Sequence, residues 1–131
     1  MACRILATMA TIVSARPAPP PAQGAIAVAR LEAPGGGAAF VATLDVSGKR
    51  LVVTPVGAPA PAGKSPQLWL MPANAKPAPL GVFMGQTSLV LPAPAGVADG
   101  ALLGVSLEPM GGSPTGQPTG PVIAQGRLMR L

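Results

Sequence analysis

ALLGVSLEPMGGSPTGQPTGP, residues 101–121, decides the fold. Its first eight residues alternate. Leu103, Val105 and Leu107 fall on one side of an extended chain, and Gly104, Ser106 and Glu108 fall on the other, the pattern of a half-buried strand. Behind Glu108 come four Gly, four Pro, two Thr and a Ser. Such a composition suits a phosphate-cradling loop, a disordered linker or a fixed connection within one fold. A phosphate loop couples its glycines to a Lys-Ser/Thr pair and runs into a helix N-terminus, where free N–H groups meet the anion. This stretch holds no Lys or Arg, each of its prolines deletes an N–H donor, and its continuation PVIAQGRLMRL (121–131) reads as a strand. A linker fits equally poorly, because strands stand on both sides and the last of them needs a partner. A piece of one particular fold stays open at this point.

Working outward from it, strand signals recur at short spacing: AIAVARLE (25–32), AAFVATLD (38–45), RLVVTP (50–55), PQLWLMP (66–72), PLGVF (79–83), TSLVLP (87–92), ALLGVSLE (101–108) and QGRLMRL (125–131). Turn chemistry separates them. Ser47-Gly48 closes a hairpin between Leu44 and Leu51, and Ala73-Asn74-Ala75-Lys76 closes another after the Trp69 strand. Gly57 to Ser65 is expected to be the mobile loop of the domain. Short strands with a turn every 8–12 residues or so read as a β-sandwich or barrel. The expected fold is all-β, an antiparallel β-sandwich of about seven or eight short strands with Pro/Gly-rich loops.

Composition supports that. The chain has 131 residues, enough for one domain, and 49% of them are apolar, enough for a core. Eighteen prolines recur from residue 17 to residue 121, and a Pro inside a helix costs roughly 3 kcal/mol, so long helices are nearly excluded there. Phe40, Trp69 and Phe83 are the only aromatics. The net charge of +5 comes from scattered Lys and Arg, without the dense basic face and aromatic platforms that nucleic-acid binding requires.

The chain begins MACRILATMATIVSA, with an apolar run from Ile5 to Val13 and the small-residue pattern Val13-Ser14-Ala15. The run is too short to cross a bilayer, which takes about 20 apolar residues. A short secretory signal, the last turns of a membrane helix whose start is missing, and a tail without a role all fit it. RPAPPPAQG (16–24) follows; Pro-rich runs adopt extended polyproline II at about 3.1 Å per residue and serve as stiff spacers. The expected organisation is a signal-like or truncated transmembrane segment over 1–15, a linker over 16–24 and the β-domain over 25–131.

No catalytic chemistry is legible. The chain has no His and no Tyr, and its four acids, Glu32, Asp45, Asp99 and Glu108, are spread along it. A Ser nucleophile would lack its imidazole base, general acid–base work would lack a tuned pair, and metal binding would lack a ligand cluster. Cys3 is the single cysteine, so no intrachain disulfide forms. The expectation is no enzyme, no metal and no cofactor. Trp69 reads as a sheet-packing residue, with a ligand platform as the alternative. Glu108, at a strand end, reads as an acceptor for N–H groups of the adjoining turn, with a sensing or partner-contact role as the alternative, and Gly111, Gly112, Gly116 and Gly120 read as sites of positive φ.

PQLWLMPANAKPAPLGVF (66–83), LLGVSLEPMGGSPTGQPTGPVIAQGRL (102–128) and, more loosely, AAFVATLDVSGKRLVVTPVG (38–57) resemble the C-terminal extracytoplasmic domain of anti-sigma factors of the anti-sigma-K type. The matching residues are Leu68, Trp69 and Leu70, then Lys76-Pro77 with Leu80-Gly81, then Glu108-Pro109 followed by Gly111, Gly112, Ser113, Pro114, Thr115 and Gly116. The resemblance implies a membrane regulator whose inner part holds an extracytoplasmic-function sigma factor, with release by regulated proteolysis and the linker 16–24 as the place of a first cut by a site-1-type protease. The sequence as given has no room before Ile5 for a sigma-binding part, so the sigma factor is expected as a partner only through a missing N-terminal part. Membrane attachment and an extracytoplasmic location are expected of the full-length form. The alternative expectation is a secreted or periplasmic β-sandwich module that binds a ligand through the loop around residues 57–65.

Overall fold

A computed structural model describes residues 26–131, Gly48 excepted. The segments 1–15 and 16–24 lie outside the described residues. Nine strands follow in order: β1 (Ile26–Glu32), β2 (Ala38–Asp45), β3 (Arg50–Pro55), β4 (Lys64–Leu70), β5 (Ala78–Val82), β6 (Leu89–Pro92), β7 (Leu102–Pro109), β8 (Val122–Arg127) and β9 (Met129–Arg130). Among the described residues no helix is long and apolar enough to cross a membrane.

All pairings are antiparallel, and the strands form one sheet in the order β5-β4-β7-β8-β1-β2-β3-β6, with β9 beside β1. The all-β, antiparallel expectation holds. In place of two stacked sheets, a single sheet curls into a near-barrel. Its edge strands, β5 and β6, meet through side chains, since a Cβ on Gly81 would stand 2.8 Å from Leu89 Cδ2, and inside the barrel the ring of Phe83, just after β5, lies 4.9 Å from that of Phe40 on β2. Inward positions mix small and large residues, with Ala27, Ala29, Ala42 and Ala124 beside Leu31, Leu44, Leu51, Leu68 and Leu103. That mixture fills a narrow interior without voids.

The β2–β3 hairpin has the expected register, Leu44 opposite Leu51, and Lys49 takes a left-handed φ of 54° in its turn; Gly48 itself lies outside the described residues. Two boundaries differ from the sequence reading. β4 starts at Lys64, so Ser65 is a buried strand residue and the loop shrinks to 56–63. The C-terminal strand starts earlier, at Val122, and breaks at Leu128, whose buried side chain joins the core between β8 and β9.

The registers sort the connections into two ends. At the proximal end, where β1 begins at Ile26, lie the turn 46–49, the hairpin 71–77, the segment 93–101 and the C-terminus, with Leu131 N donating to Ile26 O at 3.0 Å. The connections 33–37, 56–63, 83–88 and 109–121 start from the distal end.

Candidate functional site

β4 departs from simple alternation: every residue after Lys64 is buried, on both faces. Leu68 and Leu70 point into the barrel core. Ser65, Gln67 and Trp69, two residues apart, share the outer face, as period-2 geometry demands. Their cross-strand neighbours on β7 are Glu108, Ser106 and Gly104. The polar positions among these, Ser65, Gln67 and Glu108, would face water were they not covered by the connection that follows β7.

The roof is tied down residue by residue. Gly111 N donates to Ser65 Oγ at 3.0 Å, and Ser113 N donates to Gln67 Oε1 at 2.7 Å. Gln117 Nε2 reaches the Pro77 carbonyl at 3.1 Å, and Leu107 N donates to Pro121 O at 2.9 Å. Beneath the roof, Trp69 Nε1 donates to Ser106 Oγ at 2.8 Å, and Ser106 Oγ donates to Glu108 Oε2 at 2.5 Å. Glu108 also accepts from Thr119 N at 3.0 Å, from Gly120 N at 3.2 Å and from Thr119 Oγ1. Trp69, Ser106 and Glu108 are each 0% exposed. A buried carboxylate survives when its lone pairs are filled by donors, and that is the arrangement here.

Burial alone would push the Glu108 carboxyl up. The hydrogen bonds from Ser106 and Thr119 side chains and from the Gly120 and Thr119 amides outweigh it, and the pKa lies below the ordinary value of 4.5. Glu108 is therefore charged at neutral pH and acts as an anionic clasp on the far end of the connection.

Gly111, Gly112 and Gly116 have φ of 92°, 109° and 80°, as turn glycines should. Gly120 corrects the sequence reading. Its φ is not positive; instead a Cβ there would overlap the Leu107 carbonyl oxygen, so the residue is small because two backbones touch. Gly104 is likewise a matter of space: Met71 lies over it, with Sδ 2.7 Å from where a Cβ would be. Trp69 reads correctly as a packing residue but packs outside the barrel, and its full burial removes the ligand-platform alternative.

The structure places Trp69, Glu108, Gly111, Gly112 and Ser113 in this one cluster. Leu68, Leu70 and Leu80 belong to the core below it, Gly81 sits at the barrel closure, and Pro77 supplies the carbonyl for Gln117. Lys76, Pro109, Pro114, Thr115 and Gly116 are exposed. Sequence reasoning missed Ser65, Gln67, Ser106 and Thr119. A signal for the first three existed: Ser65-x-Gln67-x-Trp69 and Ser106-x-Glu108 are polar positions at strand period.

A separate groove of about 610 Å³ opens at the distal end between Pro59–Pro66, Val82–Gly85 and Met110–Gly111, with Met84 80% and Met110 72% exposed on its lips. No group of three or more potential metal-ligating side chains occurs among the described residues.

A family model described as anti-sigma-K factor rskA, C-terminal, matches residues 1–122. The match takes in the apolar run, the Pro-rich segment and the sheet as far as the first residue of β8. No curated protein and no solved structure matches the chain.

Proposed function

The chain belongs to the family of anti-sigma-K factor C-terminal domains, and from that premise we propose that it is the extracytoplasmic, non-catalytic domain of a membrane anti-sigma factor. In that role it contributes to negative regulation of an extracytoplasmic-function sigma factor, which is bound by a part of the regulator outside this chain. The observation that carries the reading is the span of the family match, residues 1–122, which takes in the apolar run Ile5–Val13 and the Pro-rich residues 16–24 along with most of the strands. The clasp described above supports a structural role for the barrel, since its charged and hydroxyl groups are all spent on each other and on backbone amides. The Pro-rich linker 16–24 is the place where a site-1-type protease would make a first cut.

The test is cell fractionation of the chromosomally tagged product together with a reporter for the sigma factor's promoters. Membrane association, and reporter activity that rises when the gene is deleted, are expected. Recovery only as a soluble cytoplasmic form, with an unchanged reporter, refutes the reading.

The distal groove favours a second reading, a secreted or periplasmic module that binds an apolar ligand beside residues 59–66. That reading requires a mature protein beginning near Arg16, so an intact mass corresponding to Met1–Leu131 in culture fluid rules it out.

A further inference from the structure

Five of the seven Lys and Arg among the described residues, Lys49, Arg50, Lys76, Arg127 and Arg130, belong to the proximal end, and all five are exposed. Two acids share that end, and both are engaged: Asp99 Oδ1 accepts from Arg130 N at 2.9 Å, and Asp45 Oδ1 accepts from Ser47 Oγ at 2.9 Å. The other two cations differ. Arg30 stands 3.9 Å from Glu32 on the outer face of β1, and Lys64 lies at the distal end. Apolar side chains accompany the proximal cations. Ile26 is 41% exposed, Val46 37% and Leu131 90%. A depression of about 400 Å³ opens beside them, lined by Leu44, Ala93, Pro94 and Val97 together with Lys49, Arg130 and Asp99. Cations ringing exposed apolar groups match a surface of anionic headgroups over acyl chains.

We propose that the proximal end of the barrel is a docking face for an anionic lipid surface, with Lys49, Arg50 and Arg130 at headgroup phosphates and Ile26 and Val46 against the acyl boundary. This rests on the membrane reading above, and it adds a contact that the reading does not require. The chain leaves the barrel at Ile26 on this same face, so twelve residues, Ser14 to Ala25, separate the face from the apolar run Ile5–Val13. Fully extended, they span at most about 40 Å. A tether that short holds the face at millimolar effective concentration beside the bilayer, so a weak intrinsic affinity suffices to dock it. Electrostatic attraction fades over about 8 Å at physiological salt. The face therefore feels an anionic surface only when it lies within about that distance of it.

The test is sedimentation of the full chain with vesicles of phosphatidylcholine alone and of phosphatidylcholine with phosphatidylglycerol, at low and at 1 M salt. The charge variants are Lys49→Asn/Arg50→Gln/Arg130→Gln and the control Arg30→Gln/Lys64→Gln. All the changed side chains are exposed, and circular dichroism checks that each variant is folded. Each cation near an anionic surface contributes about fivefold in partitioning. The triple variant is expected to lose at least tenfold and up to about a hundredfold on anionic vesicles, the control less than about threefold, and high salt should erase the difference. Equal binding to both vesicle types would mean that the run Ile5–Val13 acts alone, and it overturns the proposal. So does an equal loss in the two variants, or no binding to anionic vesicles. None of these outcomes touches the fractionation and reporter results, so the two readings fail separately.

Discussion

Glu108→Gln is the sharpest perturbation of the clasp, because it keeps the volume and removes the charge. The two carboxylate oxygens accept from Ser106 Oγ, Thr119 N, Thr119 Oγ1 and Gly120 N. In the glutamine, one of those oxygens becomes an NH₂ donor. If the amide oxygen stays at the Oε2 position, the bonds from Thr119 N, Gly120 N and Ser106 survive but lose their charge assistance, a drop of about 1 kcal/mol for each of two or three. At the other position the Thr119 hydroxyl must turn around to accept. The expected loss is about 2–4 kcal/mol, a large share of the 5–15 kcal/mol that holds a domain of this size. Trp69 is the only tryptophan and is bonded to Ser106 within the same cluster, so its fluorescence reports urea unfolding directly. With a urea slope near 2 kcal/mol per molar, the midpoint should fall by about 1–2 M.

The pH dependence gives the same argument a second handle. The folded pKa of Glu108 lies below its unfolded value, so the clasp's stabilisation is complete above the ordinary carboxylate value of 4.5 and is lost as the pH falls through the lower folded value. Glutamine does not titrate. The gap between wild type and variant should therefore be full at pH 7 and close in acid. A gap under about 0.5 kcal/mol at pH 7, or one unchanged down to pH 2, would refute the clasp as described.

Gly120→Ala should cost more than about 3 kcal/mol, since the new methyl meets the Leu107 carbonyl, whereas Gly116→Ala, in open space at φ 80°, should cost about 1–2; urea midpoints of the pair compare them. Trp69→Phe keeps a ring under the roof but removes the donor to Ser106, and thermal unfolding followed by circular dichroism should show a loss of about 1–3 kcal/mol. Gln67→Ala leaves Ser113 N without its acceptor, and limited proteolysis should find the 109–121 connection cut earlier than in wild type, at a stability cost of about 1–2 kcal/mol.

The strands were legible because their signal is local. Alternation in 38–45 and 101–108 and the turn at 46–49 are read from neighbours in sequence, and the register Leu44 to Leu51 follows from them. Sheet closure is not local. One sheet of eight strands in a row and two stacked sheets of four present the same alternation, and the choice depends on whether β5 and β6 reach each other, which Gly81 and Leu89 settle across the barrel. The clasp was half legible. Glu108 stood out as an acid at a strand end that takes N–H groups of the adjoining connection, and Gly120 N is one of them, but the hydroxyl donors Ser106 and Thr119 did not stand out, and Gln67 and Ser65 looked like ordinary outward polar positions. A polar residue on an outer face reads as solvated unless something covers it, and what covers these is a connection whose own path was unreadable from Gly/Pro content.

The place of β1 in the sheet bears on how the barrel and the linker share their tasks. The chain emerges at Ile26 from a strand held on both sides: β2 pairs with it along its whole length, and β8 and β9 share the opposite edge. Leu131 N closes onto Ile26 O at the point of exit. A pull or a cut in 16–24 is thus applied to an interior strand, and freeing it means breaking two ladders at once. An edge strand such as β6 would peel from one partner alone. On the proposed function, a cut in 16–24 would therefore leave the sheet intact, and the connection over β4 and β7 lies on the other flank, three strands from β1 at β4. If proteolysis in the linker is the regulated event, the barrel survives it folded, and what changes is where the barrel is held.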